Sequence, residues 1–181
     1  TALSNGGETL KLEDAASGTI KEFSYDDQSP WPTSTDGGGP SLVLINPHTN
    51  PEPGIAANWR PSTFPGGNPG TNDALTFAGN PNGDANGNGV PDLIDHVLGE
   101  GGAAKMTPET FRYRRKLGTD DVSVLIEASS DLSTWTSANS LLQNRRATYT
   151  GDGFELVGFD ISPSAPVARW FLRVRAELIS P

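Results

Sequence analysis

At 181 residues, with 34% hydrophobic composition, 21 Gly and 15 Pro, the chain can bury a core as one large domain or two small ones. Its many turn formers suit short strands better than helices. A formal net charge of −9 is repelled by nucleic-acid phosphates and anionic membrane surfaces, the absence of cysteine removes disulfides and thiolate metal sites, and no apolar run approaches the roughly 18 residues of a membrane span.

The expected class is therefore all-β. Charge is uneven along the chain: residues 1–104 hold 13 acids and 3 bases (−10), and residues 105–181 hold 9 acids and 10 bases (+1). That asymmetry points to two modules of different origin. In chain order, Glu8–Glu13 and Thr19–Tyr25 alternate as two strands around a turn at Asp14 to Gly18, which reads as a hairpin. The stretch from Asp26 to Pro32 breaks the pattern, Asp36-Gly37-Gly38-Gly39-Pro40 excludes regular structure, and Ser41–Ile45 is a short strand of the buried type. From Asn46 to Asn72 the chain reads as loop, with Trp59 as its only large anchor. Asp26 and Asp27 near Trp31 have the composition of a glycosidase carboxylate pair under an aromatic platform. Adjacent strand-end residues point in opposite directions, however, so the reading is a turn beside a core tryptophan.

The runs LSNGGETLKLEDAASGTIKEFSYDDQSPWP and DGGGPSLVLINP, the Asn58-Trp59 pair and GNPGTN at 67–72 occur in that order. Together they resemble the second half of a lamin-tail domain of bacterial surface proteins. The resemblance covers residues 3–72, assigns 1–72 to a lamin-tail-like module, and implies an immunoglobulin-like β-sandwich lacking its opening strands. A half-sandwich leaves strand edges unpaired, so cover is expected from upstream residues, from the second module or from another chain. Export is implied too, with the present sequence a mature fragment.

Residues 73–106 read as a connector, and within it lies the most specific pattern of the chain. Asp84-Ala85-Asn86-Gly87-Asn88-Gly89-Val90-Pro91-Asp92-Leu93-Ile94-Asp95 sets oxygen-bearing side chains at positions 1, 3, 5, 9 and 12 of a twelve-residue loop, with Gly89 at position 6. That spacing suits Ca²⁺, with Asp84, Asn86, Asn88, the Val90 carbonyl, Asp92 and Asp95 as the ligand set. Shifting the frame back by two residues puts Leu93 at position 12 and loses the final ligand. Leu93 and Ile94 then open a short helix anchored in a core. The segment resembles the loops of dockerins and thrombospondin type-3 repeats, which also end in Asp. Dockerins that bind cohesin carry two such loops and this chain carries one. Three carboxylates imply the weaker extracellular range, a dissociation constant on the order of 10⁻⁴ M.

Beyond the connector, residues 107–181 read as a second β-sandwich module. Strands are expected at 111–114, 122–128, 148–149, 154–157 and 170–175. The motifs FRYRR, SSDLSTW and WFLRVRA resemble a terminal module of large secreted bacterial proteins. Arg112, Arg114, Arg173 and Arg175 alternate with apolar residues and would form an outward basic ladder if their strands were neighbours, either a surface for an acidic glycan or the acidic first module or a solvated face balanced by Glu127, Glu155 and Glu177. Trp135 and Trp170 read as core residues, and His48 and His96 as structural or solvated.

No nucleophile elbow, metal-hydrolase spacing or phosphate loop is present. The expected function is accordingly that of a non-enzymatic, calcium-binding structural and interaction region of an exported bacterial surface protein, extracellular or at the cell surface, with a protein or glycan as its partner. The alternative is a carbohydrate-binding accessory module of a larger secreted hydrolase.

Overall fold

The computed structural model describes residues 3–4, 6–100, 102–162 and 170–179. Asn5 of the LSNGG run and Gly101 of the connector lie outside the described residues, as do residues 163–169. Strands dominate, with one short helix, in two compact units, Thr1–Ala74 and Leu75–Pro181.

In the first unit, β1 (Glu8–Glu13) and β2 (Thr19–Tyr25) form the antiparallel hairpin expected from their alternation. Asp14 builds the turn: its Oδ1 accepts the Ala16 and Gly18 amides, both at 2.8 Å, while Ser17 takes a positive φ of 65°. A second antiparallel pair joins β3 (Pro40–Leu44) to β4 (Trp59–Pro65), with Leu44 opposite Trp59. Strand β4 corrects the loop reading of residues 46–72. Pro61 and Pro65 argue against a strand in sequence, yet a two-stranded pair leaves β4 an edge on which a missing N–H is tolerated. Trp59 is an anchor, its ring stacked on Phe23 at 5.8 Å and tilted against Trp31 at 6.1 Å, with its indole N–H donated to the Pro53 carbonyl. Asp73 ties the end of this unit back to β4. It pairs with the buried Arg60 and accepts the Thr63 hydroxyl at 2.7 Å.

The second unit opens with α1 (Asp92–Leu98), followed by β5 (Lys105–Met106), β6 (Thr110–Lys116), β7 (Val122–Ser129), β8 (Thr136–Ser137), β9 (Leu142–Tyr149), β10 (Phe154–Ile161) and β11 (Phe171–Leu178). The strands form two antiparallel sheets in the orders β5-β6-β10-β9 and β11-β7-β8. One core serves both sheets and the helix. Leu93, Val97 and Leu98 of α1 meet Phe111 and Tyr113 of β6, Val122 of β7 and Val157 of β10. The helix is thus packed into the second unit, although its residues fall in the stretch read as a connector.

Most of β9 escaped the sequence reading, because Gln143-Asn144-Arg145-Arg146 has neither apolar alternation nor β-branched residues. It forms as the edge partner of β10, with a register shift facing Gly158 to Asp160 and Asn144 at a positive φ of 50°.

Candidate metal centre

Residues 84–95 fold as a tight loop running into α1. Gly87 and Gly89 hold φ of 72° and 82°, and with no Cβ they take this left-handed region at little cost. Asp84 organises the turn through both carboxylate oxygens: Oδ1 accepts the Asn88 amide at 3.0 Å and Oδ2 the Gly89 amide at 2.9 Å. Two further side chains bond locally. Asn86 Oδ1 accepts the Asn88 amide at 3.1 Å, and Asn88 Oδ1 accepts the Val90 amide at 2.7 Å, the two-residue pattern that favours Asn in such turns.

The loop closes on the helix. Asp95 lies one turn into α1, and its Oδ2 accepts the side-chain amides of Asn86 at 2.9 Å and Asn88 at 2.8 Å. Its other oxygen, Oδ1, is buried without a hydrogen-bond partner. Asp84, Asn86, Asn88 and Asp95 are therefore brought together in one hydrogen-bonded network. Asp92 is tied instead to the start of the loop, its Oδ1 accepting the Ala85 amide at 2.8 Å and its own amide donated to the Gly83 carbonyl at 2.7 Å. Among the described residues the Val90 carbonyl accepts no hydrogen bond.

Gly83 is a participant that the sequence reading missed. A Cβ there would stand 2.5 Å from Asp92 Oδ2, so a larger residue would turn the Asp92 carboxylate away from its place over the loop. Its signal in sequence was a glycine immediately before position 1.

The donor set fits a hard cation. All of its atoms are oxygens from carboxylates, amides and a backbone carbonyl, and one carboxylate oxygen is buried and unsatisfied. Among the described residues no three carboxylate or histidine side chains form a ready-made cluster; the convergent groups are two carboxylates and two amides.

The other sequence candidates are engaged elsewhere. His96 Nε2 stands 3.8 Å from Asp121 Oδ1, and Asp121 Oδ2 accepts the Phe77 amide at 2.6 Å. Burial holds the His96 pKa below its ordinary value, opposed by the Asp121 carboxylate. His48 belongs to the first unit and is exposed. The four arginines do not make one ladder, because β6 and β11 belong to different sheets. Arg114 pairs with Asp152 and lies 3.7 Å from the centre of the Phe154 ring, while Arg173 and Arg175 both reach Glu127. Burial raises the Glu127 pKa, but those two hydrogen bonds outweigh it and hold the carboxyl below the usual range. Comparison of the chain with protein-family models, characterised proteins and solved structures finds no match.

Proposed function

We propose that the chain is a non-catalytic, calcium-binding structural and interaction region of an exported bacterial surface protein, built from immunoglobulin-like sandwich modules. The observation that carries the calcium reading is the convergence of Asp84, Asn86, Asn88 and Asp95 across the loop–helix junction. Export and bacterial origin rest on the lamin-tail-like and terminal-module resemblances of the sequence.

On this reading Asp84, Asn86, Asn88, the Val90 carbonyl and Asp95 hold the ion, with Asp92 at position 9, a place that often acts through a water. A bound ion would supply positive charge to the free oxygen of Asp95. The side-chain amides of Asn86 and Asn88 hold the Asp95 carboxylate in place in its absence. The boundary between the units falls at Ala74 and Leu75, so the ion is proposed to fasten the opening segment of the second unit, residues 75–98, to that unit's core through α1. At tenfold saturation the gain is about 1.4 kcal/mol.

Calorimetric titration of the whole chain should give one site with a dissociation constant on the order of 10⁻⁴ M, and Asp84→Ala should weaken it at least about tenfold. An absence of binding heat in the parent chain sinks the calcium reading.

A carbohydrate-binding accessory role is the second reading, favoured by a pocket of about 340 Å³ in the first unit walled by Phe23, Tyr25 and Trp59. Asp26 and Asp27 both line it. Strand alternation argued against that sharing, and the turn after β2 overrides it. Saturable retention on one polysaccharide, together with a silent calcium titration, would move the assignment to this reading.

A further inference from the structure

The four-stranded sheet of the second unit carries two charged side chains where its alternation calls for apolar ones. Phe111, Tyr113 and Arg115 share one face of β6, and Glu155, Val157 and Phe159 share the corresponding face of β10, with Glu155 opposite Arg115 in the register. Phe111, Tyr113 and Val157 are core residues, so Arg115 and Glu155 continue the core face to its end. Charged groups in apolar positions cost stability, and such departures from the pattern concentrate at functional sites.

A pocket of about 490 Å³ lies there, with Tyr113, Arg115, Glu127, Ser137, Asn139 and Arg145 as its polar lining. That volume falls in the range of about 300–1,000 Å³ usual for small-molecule sites. The charges within it are unevenly satisfied. Glu127 is matched by Arg173 Nε at 2.8 Å and Arg175 Nη1 at 3.1 Å. Among the described residues Arg115 and Arg145, by contrast, share only Glu155, with nitrogen–oxygen separations of 3.9 Å and 3.5 Å that are too long for well-formed hydrogen bonds. Arg115 Nε is also buried with no hydrogen-bond partner among the described residues, so its desolvation stays uncompensated until an acceptor arrives.

Charge balance selects the acceptor. Arg173 and Arg175 are balanced by Glu127 and Glu177, so Arg115 and Arg145 against Glu155 leave a net +1, which a monoanion neutralises. A phosphate group, at about −1.5 to −2, would overshoot beside the buried Glu155. Burial raises the Tyr113 phenol pKa, partly opposed by Arg115 and Arg145, so Tyr113 stays a neutral donor. Ser137 and Asn139 add neutral donors and acceptors suited to hydroxyl groups.

We propose that this pocket binds a small organic carboxylate on a hydroxylated body, the chemistry of a hexuronate, with Arg115 and Arg145 receiving the carboxylate. The site is independent of the calcium loop and of the pocket in the first unit.

The test is titration of the full ¹⁵N-labelled chain with galacturonate, with galactose and with inorganic phosphate, read at the arginine Nε–Hε signals. Arg115→Lys identifies its own signal by removing it. Galacturonate should shift the Arg115 signal saturably and galactose should leave it unmoved. The Arg145→Gln variant should bind galacturonate at least about tenfold more weakly; the Arg145 side chain is 52% exposed, so this exchange leaves the core alone. Competition by oligogalacturonate places the acid within a polymer, and binding of the monomer alone places it as a free acid. An unmoved Arg115 signal, an equal response to galactose, undiminished binding in Arg145→Gln, or phosphate binding in place of galacturonate would each overturn the assignment.

Discussion

Asp160, near the end of β10, accepts from Arg146 Nη1 at 3.0 Å and from the Asn144 side-chain amide at 2.9 Å. These bonds, Arg146 first, lower its pKa from 3.8 to about 2. The unfolded chain therefore takes up this proton at a higher pH than the folded one. The stabilisation is complete above the unfolded value of 3.8 and is lost as pH falls through about 2. Denaturant unfolding should find Asp160→Asn less stable than the parent at pH 6, with the difference shrinking as pH falls from 3.8 to about 2. The group is solvent-exposed, so the difference should be small, and one that does not shrink over that range would refute the pairing. The residues of the candidate calcium loop were legible in sequence because a twelve-residue turn has its candidate ligands fixed by spacing alone. Arg115 and Glu155 lie 40 positions apart in number, and only the pairing of β6 with β10 brings them face to face.

At the scale of elements, α1 connects the proposed site to the core. It has only seven residues, too short to persist alone in water, and its N-cap residue, Pro91, makes no side-chain capping bond. Asp92 and Asp95 in its first turn suit the helix dipole, but the element is held chiefly by burial of Leu93, Val97 and Leu98. Leu93→Ala should cost about 2–5 kcal/mol of unfolding free energy and should also weaken calcium binding, since Asp95 is carried on the same helix. Calcium affinity unchanged in a destabilised Leu93→Ala chain would show that loop and helix are uncoupled. The hairpin β1–β2 and the strands β6, β7 and β10 were readable from alternation. Strand β4 was hidden by its prolines and β9 by its polar run, because edge strands form through pairing to a neighbour more than through their own composition.

At the scale of the whole molecule, the two units hold separate sets of packed residues: the Phe23–Trp59–Trp31 aromatic group in Thr1–Ala74 and the helix-and-two-sheet core in Leu75–Pro181. Scanning calorimetry should resolve two transitions. Calcium at millimolar concentration should raise only the one that Leu93→Ala lowers, because the loop and its helix both belong to the second unit. A calcium shift confined to the other transition would contradict the proposed anchoring.

Taken by itself, the amino-acid sequence determined the β class, the change of character along the chain and the spacing of the candidate calcium ligands. Each of these is local: turn formers, alternation and a twelve-residue motif act over a few bonds, so no partner strand is needed to read them. Only the tertiary structure decided that α1 is part of the second unit's core, that the four arginines serve separate sheets, and that Arg115 and Arg145 line one pocket and share Glu155. Those outcomes depend on which strands pair and in what register, and pairing is set by burial of side chains distant in sequence, which no local pattern records.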